Sequence, residues 1–382
     1  MAAGSFSRSF AVRAESMSDR IPISIVTGFL GSGKTTLIAA LLEQPAMQGA
    51  AIVVNEFGAV GIDDAVFAQS LDAGNVVLLA NGCLCCAAGD DLASTIWGLA
   101  MRPLPPRRIV VETSGLAEPA PLLRRLMADP RLRQSTRLDA VVTTIDAIAG
   151  LRNLDEQPVA LRQCAVADRR LITKVDLVDA SQIEALSKRL FALNRGASVV
   201  EVSHGAIDAS VLFGAALYDE RRGRSDLDRW LNLDDHRVGG PRRSRGVEVR
   251  FSCDEAHDPA IGAWLLEEST PLDWDRLSPR LGEVIARYGD KLLRVKGVIW
   301  TLGDSRPLVV HGVQRVFHPP ARLDRWTGPA TTSIVIIGDK GSAAAVESIA
   351  NVLAEAAISE SVEPPYREPL RSVAQTDGDR VA

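Results

Sequence analysis

The chain has 382 residues, 46% of them hydrophobic and 24% charged, with 30 Gly and 20 Pro, an ordinary globular composition that excludes wholesale disorder and collagen-like repeats. Its length exceeds what one small core needs and predicts two domains. A formal charge of −5 argues against nucleic acid as a partner, no apolar run approaches the ~20 residues of a membrane span, and five cysteines without a secretory signal predict free thiols in a reducing cytoplasm.

Residues 1–20 are rich in Ser and Ala and carry Arg8, Arg13 and Arg20, a composition shared with weak transit peptides. Their apolar stretch is too interrupted for a secretory signal, and Met17 opens a plausible start, so a disordered extension is expected. Ile21 to Thr27 is a β-branched run that predicts a buried strand. A glycine loop follows, then a helical pattern from Thr35 to Glu43. Short apolar strands are predicted at Ala51 to Asn55, Val76 to Ala80, Arg108 to Glu112, Ala140 to Ile145, Leu171 to Thr173 and Ser198 to Val202, with a helix from Ser181 to Leu193 before the last. Such an alternation predicts an α/β domain over 21–218: a doubly wound, mostly parallel sheet with helices on both faces.

The stretch 219–245 interleaves acids with Arg221, Arg222, Arg224, Arg242, Arg243 and Arg245 and contains Gly239-Gly240-Pro241. It reads as a solvated, charged linker rather than a nucleic-acid patch. Beyond it, strands are predicted at Gly246 to Cys253, Leu293 to Thr301, Pro307 to Val313 and Thr332 to Ile337. Helices are predicted at Pro259 to Glu268, Pro279 to Tyr288 and Ser342 to Ala356. Together they predict a second, smaller α+β domain over 246–358. Residues 359–382 are polar without periodicity and read as a disordered tail.

Gly28-Phe29-Leu30-Gly31-Ser32-Gly33-Lys34-Thr35 fits the phosphate-loop pattern G-x-x-x-x-G-K-[ST] at every defined position, between a strand and a helix. Glycines let backbone N–H groups curl around phosphate oxygens, and the helix N-terminus adds its positive end. Lys34 is expected to reach the β- and γ-phosphates, and the Thr35 hydroxyl to bind Mg²⁺. A chance glycine turn is the alternative, which motif and context together disfavour.

Thr173-Lys174-Val175-Asp176 follows a late strand and resembles the N-K-x-D loop by which GTPases read guanine. Asp176 can accept from guanine N1–H and the 2-amino group, whereas adenine would leave the carboxylate unpaired, so GTP is favoured over ATP. Lys174 can lie over the purine face. Thr173 replaces the Asn, which predicts one missing amide contact; an ordinary strand-to-helix turn is the alternative. Glu112, at the end of an apolar strand, suits a Walker B carboxylate for Mg²⁺, and Gly115 three residues on could let the backbone approach the γ-phosphate. A strand-terminal Glu facing solvent is the bland alternative. Asn55 and Glu56, with Asp63 beyond, could form a switch ordered by the γ-phosphate. No Gln or His is evident to position the attacking water, so intrinsic hydrolysis is expected to be slow.

Cys83, Cys85 and Cys86 lie within four residues, while Cys164 and Cys253 stand alone and read as buried small residues. In extended geometry Cys83 and Cys85 point the same way, and Cys86 needs a bend. Three converging thiolates suit a borderline ion such as Zn²⁺ with an open fourth position; a local thiol switch or simple packing are the alternatives. The five histidines form no close pair in sequence and read as lone surface or core residues.

Taken together, GFLGSGKTT (28–36), NEFG (55–58), GCLCC (82–86), VVETSGLAEP (110–119), ADRRLITKVDL (167–177), KLLRVKGVIW (291–300) and HGVQRVF (311–317) resemble the CobW family of metal-handling P-loop GTPases, in order over roughly 21–338. The cysteine motif between phosphate loop and Walker B strand is the specific part. The resemblance implies a GTPase domain followed by a CobW C-terminal domain. It also implies slow GTP hydrolysis with Mg²⁺, Zn²⁺ or another transition metal (Co²⁺ or Fe²⁺) at the cysteines, and delivery to a client metalloenzyme, with a homodimer allowed. On matching positions it makes Gly31, Ser32, Gly33, Lys34, Thr35 and Thr36 phosphate and Mg²⁺ contacts, Glu112 the Walker B acid, Lys174 and Asp176 the base readers, and Cys83, Cys85 and Cys86 the metal thiolates. Val54 and Ala59 stand where some relatives carry acids, and the linker holds only His236 where cobalamin-linked members are His-rich, which argues against cobalt insertion into cobalamin. A nucleotide-gated activator of one enzyme, with structural or redox-active cysteines, is the alternative.

Overall fold

The computed structural model describes residues 20–54, 76–78, 89–213, 231–237, 240–251, 260–323 and 329–357. Its first half runs β1 (Ile21–Gly28), α1 (Lys34–Leu42), β2 (Ala50–Val54), β3 (Val76–Leu78), α2 (Gly89–Ala100), β4 (Arg108–Glu112) and α3 (Pro119–Ala128). It continues through α4 (Pro130–Ser135), β5 (Thr136–Asp146), α5 (Gly150–Glu156), α6 (Pro158–Val166), β6 (Arg169–Thr173), α7 (Ala180–Leu193), β7 (Ser198–Val202) and α8 (Ala209–Leu212). The seven strands pair in parallel in the order β3-β2-β4-β1-β5-β6-β7.

Successive residues of these strands serve opposite faces of the sheet. Ile25, Val53, Val111 and Val141 join Leu92, Leu123, Leu161 and Leu190 of α2, α3, α6 and α7 on one face. Val26, Ile52, Val110 and Val142 join Leu37, Ile38 and Leu41 of α1 on the other. The strands therefore read as unbroken apolar runs, because both faces are covered. The helices α3, α4 and α6 each open on a proline, which fits a first turn whose N–H has no partner in the helix.

The second half comprises α9 (Leu233–His236), β8 (Arg242–Ser244), β9 (Val247–Phe251), β10 (Ile261–Glu268), α10 (Trp274–Tyr288), β11 (Leu292–Ile299), β12 (Leu308–Val313), β13 (Val316–Phe317), β14 (Ala321–Arg322), β15 (Thr332–Asp339) and α11 (Ala343–Ala356). Its strands are antiparallel, in the order β13-β12-β11-β15-β10-β9-β8, with β14 on β12. The doubly wound first domain and the α+β second domain are those the sequence implies.

Three details differ from the sequence reading. The helix expected from Pro259 to Glu268 is instead the strand β10, paired with β9 on one side and β15 on the other. Its Ala, Leu and Glu favour helix locally, but a central strand buried on both faces is the pairing that hides Ile261, Trp264, Leu265 and Leu266. Within the stretch read as linker, α9 and the edge strand β8 are ordered elements, and β8 pairs with β9. The histidines do form a close pair: the β12–β13 turn stacks His311 on His318 with ring centroids 5.3 Å apart, both buried.

The two domains share a core. Ile261, Ala263, Leu293, Val313 and Ile337 of the second sheet belong to the same apolar cluster as the α2–α7 face of the first. The helices α10 and α11 cover the second sheet's opposite face through Leu281, Ile285, Ile349 and Leu353. At the junction, the buried Asp168 carboxylate accepts from Val141 N–H at 2.8 Å, from Arg294 Nη2 at 3.0 Å and from Lys296 Nζ at 2.5 Å. Arg294 and Lys296 are two apart on β11 and so point the same way, toward the first domain.

Candidate functional site

The phosphate loop turns between β1 and α1, where Gly31 and Gly33 take left-handed φ of 70° and 86° and Gly33 caps the helix. Lys34 is 9% exposed, and its ammonium donates to the carbonyls of Gly28 (2.9 Å) and Phe29 (3.3 Å). The loop is braced by Ser32 Oγ and Thr144 Oγ1, 2.7 Å apart. The Thr35 hydroxyl donates to Glu112 Oε1 at 3.0 Å, and Glu112, at the C-terminal end of β4, is 2% exposed. The solvent-facing alternative for Glu112 is thereby excluded. Two hard oxygen donors at the head of the helix that follows the glycine loop are the donor set Mg²⁺ prefers, so the residues present fit that ion.

The chain then turns over the phosphate loop. Thr113 N–H donates to Val26 O at 3.0 Å and its hydroxyl to Thr27 Oγ1 at 2.8 Å, which fixes the exit from β4. Gly115 lies directly on Leu30: a Cβ there would stand 2.8 Å from the Leu30 nitrogen and 2.9 Å from its Cα. Only glycine permits that approach.

At the other end, the Thr173 hydroxyl donates to Ser32 O at 2.8 Å and lies 3.2 Å from Ile145 O. The threonine thus ties the Thr173–Asp176 loop to the phosphate loop through its hydroxyl. Lys174, in a left-handed conformation with φ 58°, places Nζ 2.7 Å from Asp146 Oδ2. Asp176 Oδ1 accepts from Ser203 Oγ at 3.0 Å, and its Oδ2 lies 3.5 Å from His204 Nε2. Sequence reasoning missed Asp146, Ser203 and His204; their one signal is position, at or just beyond the C-terminal ends of β5 and β7, where open parallel sheets bind ligands.

Asn55, Glu56, Asp63, Cys83, Cys85, Cys86 and Cys253 lie outside the described residues. Cys164 is buried on α6, and burial pushes its thiol up to about 12, so it is an inert packing residue. No helix among the described residues is long and apolar enough to cross a membrane.

The family model described as the CobW/HypB/UreG nucleotide-binding domain matches residues 22–201, and that of the cobalamin synthesis protein cobW C-terminal domain matches 261–353. The zinc chaperone YjiA of Escherichia coli is 31% identical over 323 residues, covering 83% of this chain and 93% of that protein. The chain belongs to the CobW family. A zinc chaperone CobW from a Sinorhizobium species is 30% identical to this CobW-family chain over 354 residues, 84% of this chain and 93% of the relative. The crystal structure of zinc-bound YjiA GTPase from E. coli matches with a TM-score of 0.55 at 25% identity, over 88% of this chain and 99% of that one.

Proposed function

We propose that the protein is a GTP-hydrolysing metallochaperone, which binds Zn²⁺ at Cys83, Cys85 and Cys86 and passes it to a client metalloenzyme under nucleotide control. The observation that carries the nucleotide half is the Thr35 hydroxyl on the buried Glu112 carboxylate, 3.0 Å apart at the mouth of the phosphate loop. Thr35 and Glu112 would hold Mg²⁺, which supplies charge neutralisation at the β- and γ-phosphate oxygens. Lys34 now donates to two loop carbonyls and can exchange them for phosphate oxygens without leaving its pocket. Asp176 accepts from the guanine edge, and Lys174, released from Asp146, lies along the purine face. The Gly115 backbone approaches the γ-phosphate, and Asn55, Glu56 and Asp63 order around it. Relatives named zinc chaperones support zinc as the cargo.

Nucleotide control requires the metal affinity to differ between GTP and GDP states. Chelator competition on the full chain, with a non-hydrolysable GTP analogue and with GDP, should give Zn²⁺ affinities at least about tenfold apart, ~1.4 kcal/mol of coupling. The triple change Cys83→Ser, Cys85→Ser, Cys86→Ser should abolish tight Zn²⁺ binding and leave GDP affinity intact. Equal affinities in both states, or loss of GDP binding with the thiols, would refute nucleotide-gated transfer.

A further inference from the structure

The Gly115 loop is held from the side by a residue outside every motif, Gln163 on α6. Its side chain is fully buried, and its Nε2 donates to Gly115 O at 3.2 Å and to Ala117 O at 3.0 Å. Both partners are carbonyl oxygens, so only the NH₂ side of the carboxamide can face them. The Gln163 backbone is itself anchored, because Thr143 Oγ1 on β5 donates to its carbonyl at 2.8 Å. Its own Oε1 is buried and finds no hydrogen-bond partner among the described residues. A buried amide that satisfies two loop carbonyls while its own oxygen goes without a partner is costly as mere packing.

We propose that Gln163 is a positioning residue for GTP hydrolysis: it sets the height of the Ser114–Ala117 loop above the phosphate loop, and so where the Gly115 N–H stands relative to the transferring phosphoryl group. The inference rests on the GTPase reading above. Leu30 supports the loop from below, since Gly115 is already at contact distance from its backbone. Gln163 fixes it laterally. Losing that clamp frees the loop by a fraction of an ångström to an ångström, a displacement that penalises the reacting geometry more than ground-state binding. The hydrogen bonds of Gln163 reach neither Lys34 and Thr35 nor Asp176, the groups assigned to hold GDP.

The test is GTP turnover and mant-GDP affinity on the full chain, with rates normalised to the GDP-binding fraction. Gln163→Met, similar in length but without a donor, should lower kcat about tenfold, while GDP affinity and KM stay within about twofold. Gln163→Glu presents a buried acid that can donate one bond only when protonated, so its turnover relative to wild type should rise as pH falls from about 8.5 to about 6. Unchanged kcat in the Met variant, kcat and GDP affinity falling together, or a pH-independent Glu ratio would each overturn the proposal. Lys34→Ala serves as the control: if its turnover and GTP binding match wild type, the GTPase reading itself has failed, whatever Gln163 does.

Discussion

Thr173 shows how one side chain can be read correctly in type and incompletely in role. The sequence predicts a lost contact where Asn is replaced; the hydroxyl instead bonds the Ser32 carbonyl at 2.8 Å and links the two loops proposed above to take opposite ends of a nucleotide. Thr173→Val keeps the shape and deletes that bond, leaving a buried carbonyl without its donor. A net loss of about 1 kcal/mol, or roughly fivefold weaker GDP binding, is expected by fluorescence titration; unchanged affinity would show that the link is dispensable. Residues of contiguous pattern were legible at this scale: Gly28 to Thr35 is a local signature, and Glu112 ends an apolar strand. Asp146, Gln163, Ser203 and His204 were not, because each reaches the site from a different element and none carries a local pattern. The cysteine motif was the most specific signal in the sequence, and it falls outside the described residues.

Among the elements, β6 and α7 depend on one buried cation. Arg170, fully buried on β6, donates to the carbonyls of Leu190, Asn194 and Ala197 around the C-terminal end of α7. The guanidinium adds charged donors to the backbone N–H groups that Leu190 O and Asn194 O already accept, and its charge complements the negative end of the helix. Burial lowers its pKa to about 10, so it stays protonated throughout the neutral range. Arg170→Met should cost about 2–4 kcal/mol in urea denaturation, with Arg170→Lys recovering little, since one ammonium cannot span three carbonyls as a planar fork does. A loss below ~1 kcal/mol would mean that the backbone N–H partners of Leu190 O and Asn194 O already suffice. The parallel strands were legible because burial on both faces leaves unbroken β-branched runs. The same feature misled at β10, where a two-sided buried strand rich in Ala, Leu and Glu has no alternation to separate it from a helix.

Across the whole molecule, acid should loosen the fold from several buried groups at once. Burial lowers His236 to about 4 and His318 to about 3, and lowers the stacked His311 as well. These imidazoles are neutral when folded and would bind protons near pH 6.5 when unfolded, so their contribution is fully present above about pH 6.5 and is lost as pH falls toward their folded values. Asp168 acts in the same sense lower down: Arg294 and Lys296 hold its carboxylate below the usual range despite burial, and protonating it removes the partner of both cations. Melting temperature should therefore be level above about pH 7 and decline steadily from about pH 6.5 to 4; a flat profile over that window would contradict the neutral, buried histidines. The Asp168 cluster also gives a structural role to the start of ADRRLITKVDL and to KLLRVKGVIW, since the two segments meet there through Asp168, Arg294 and Lys296. Because the apolar cluster runs from one sheet into the other without a break, the seam between the halves is interior rather than hinge. In a chimera that joins this first domain to a relative's second domain, the graft must therefore bring matching shapes for Ile261, Leu293, Val313 and Ile337 along with the two cations.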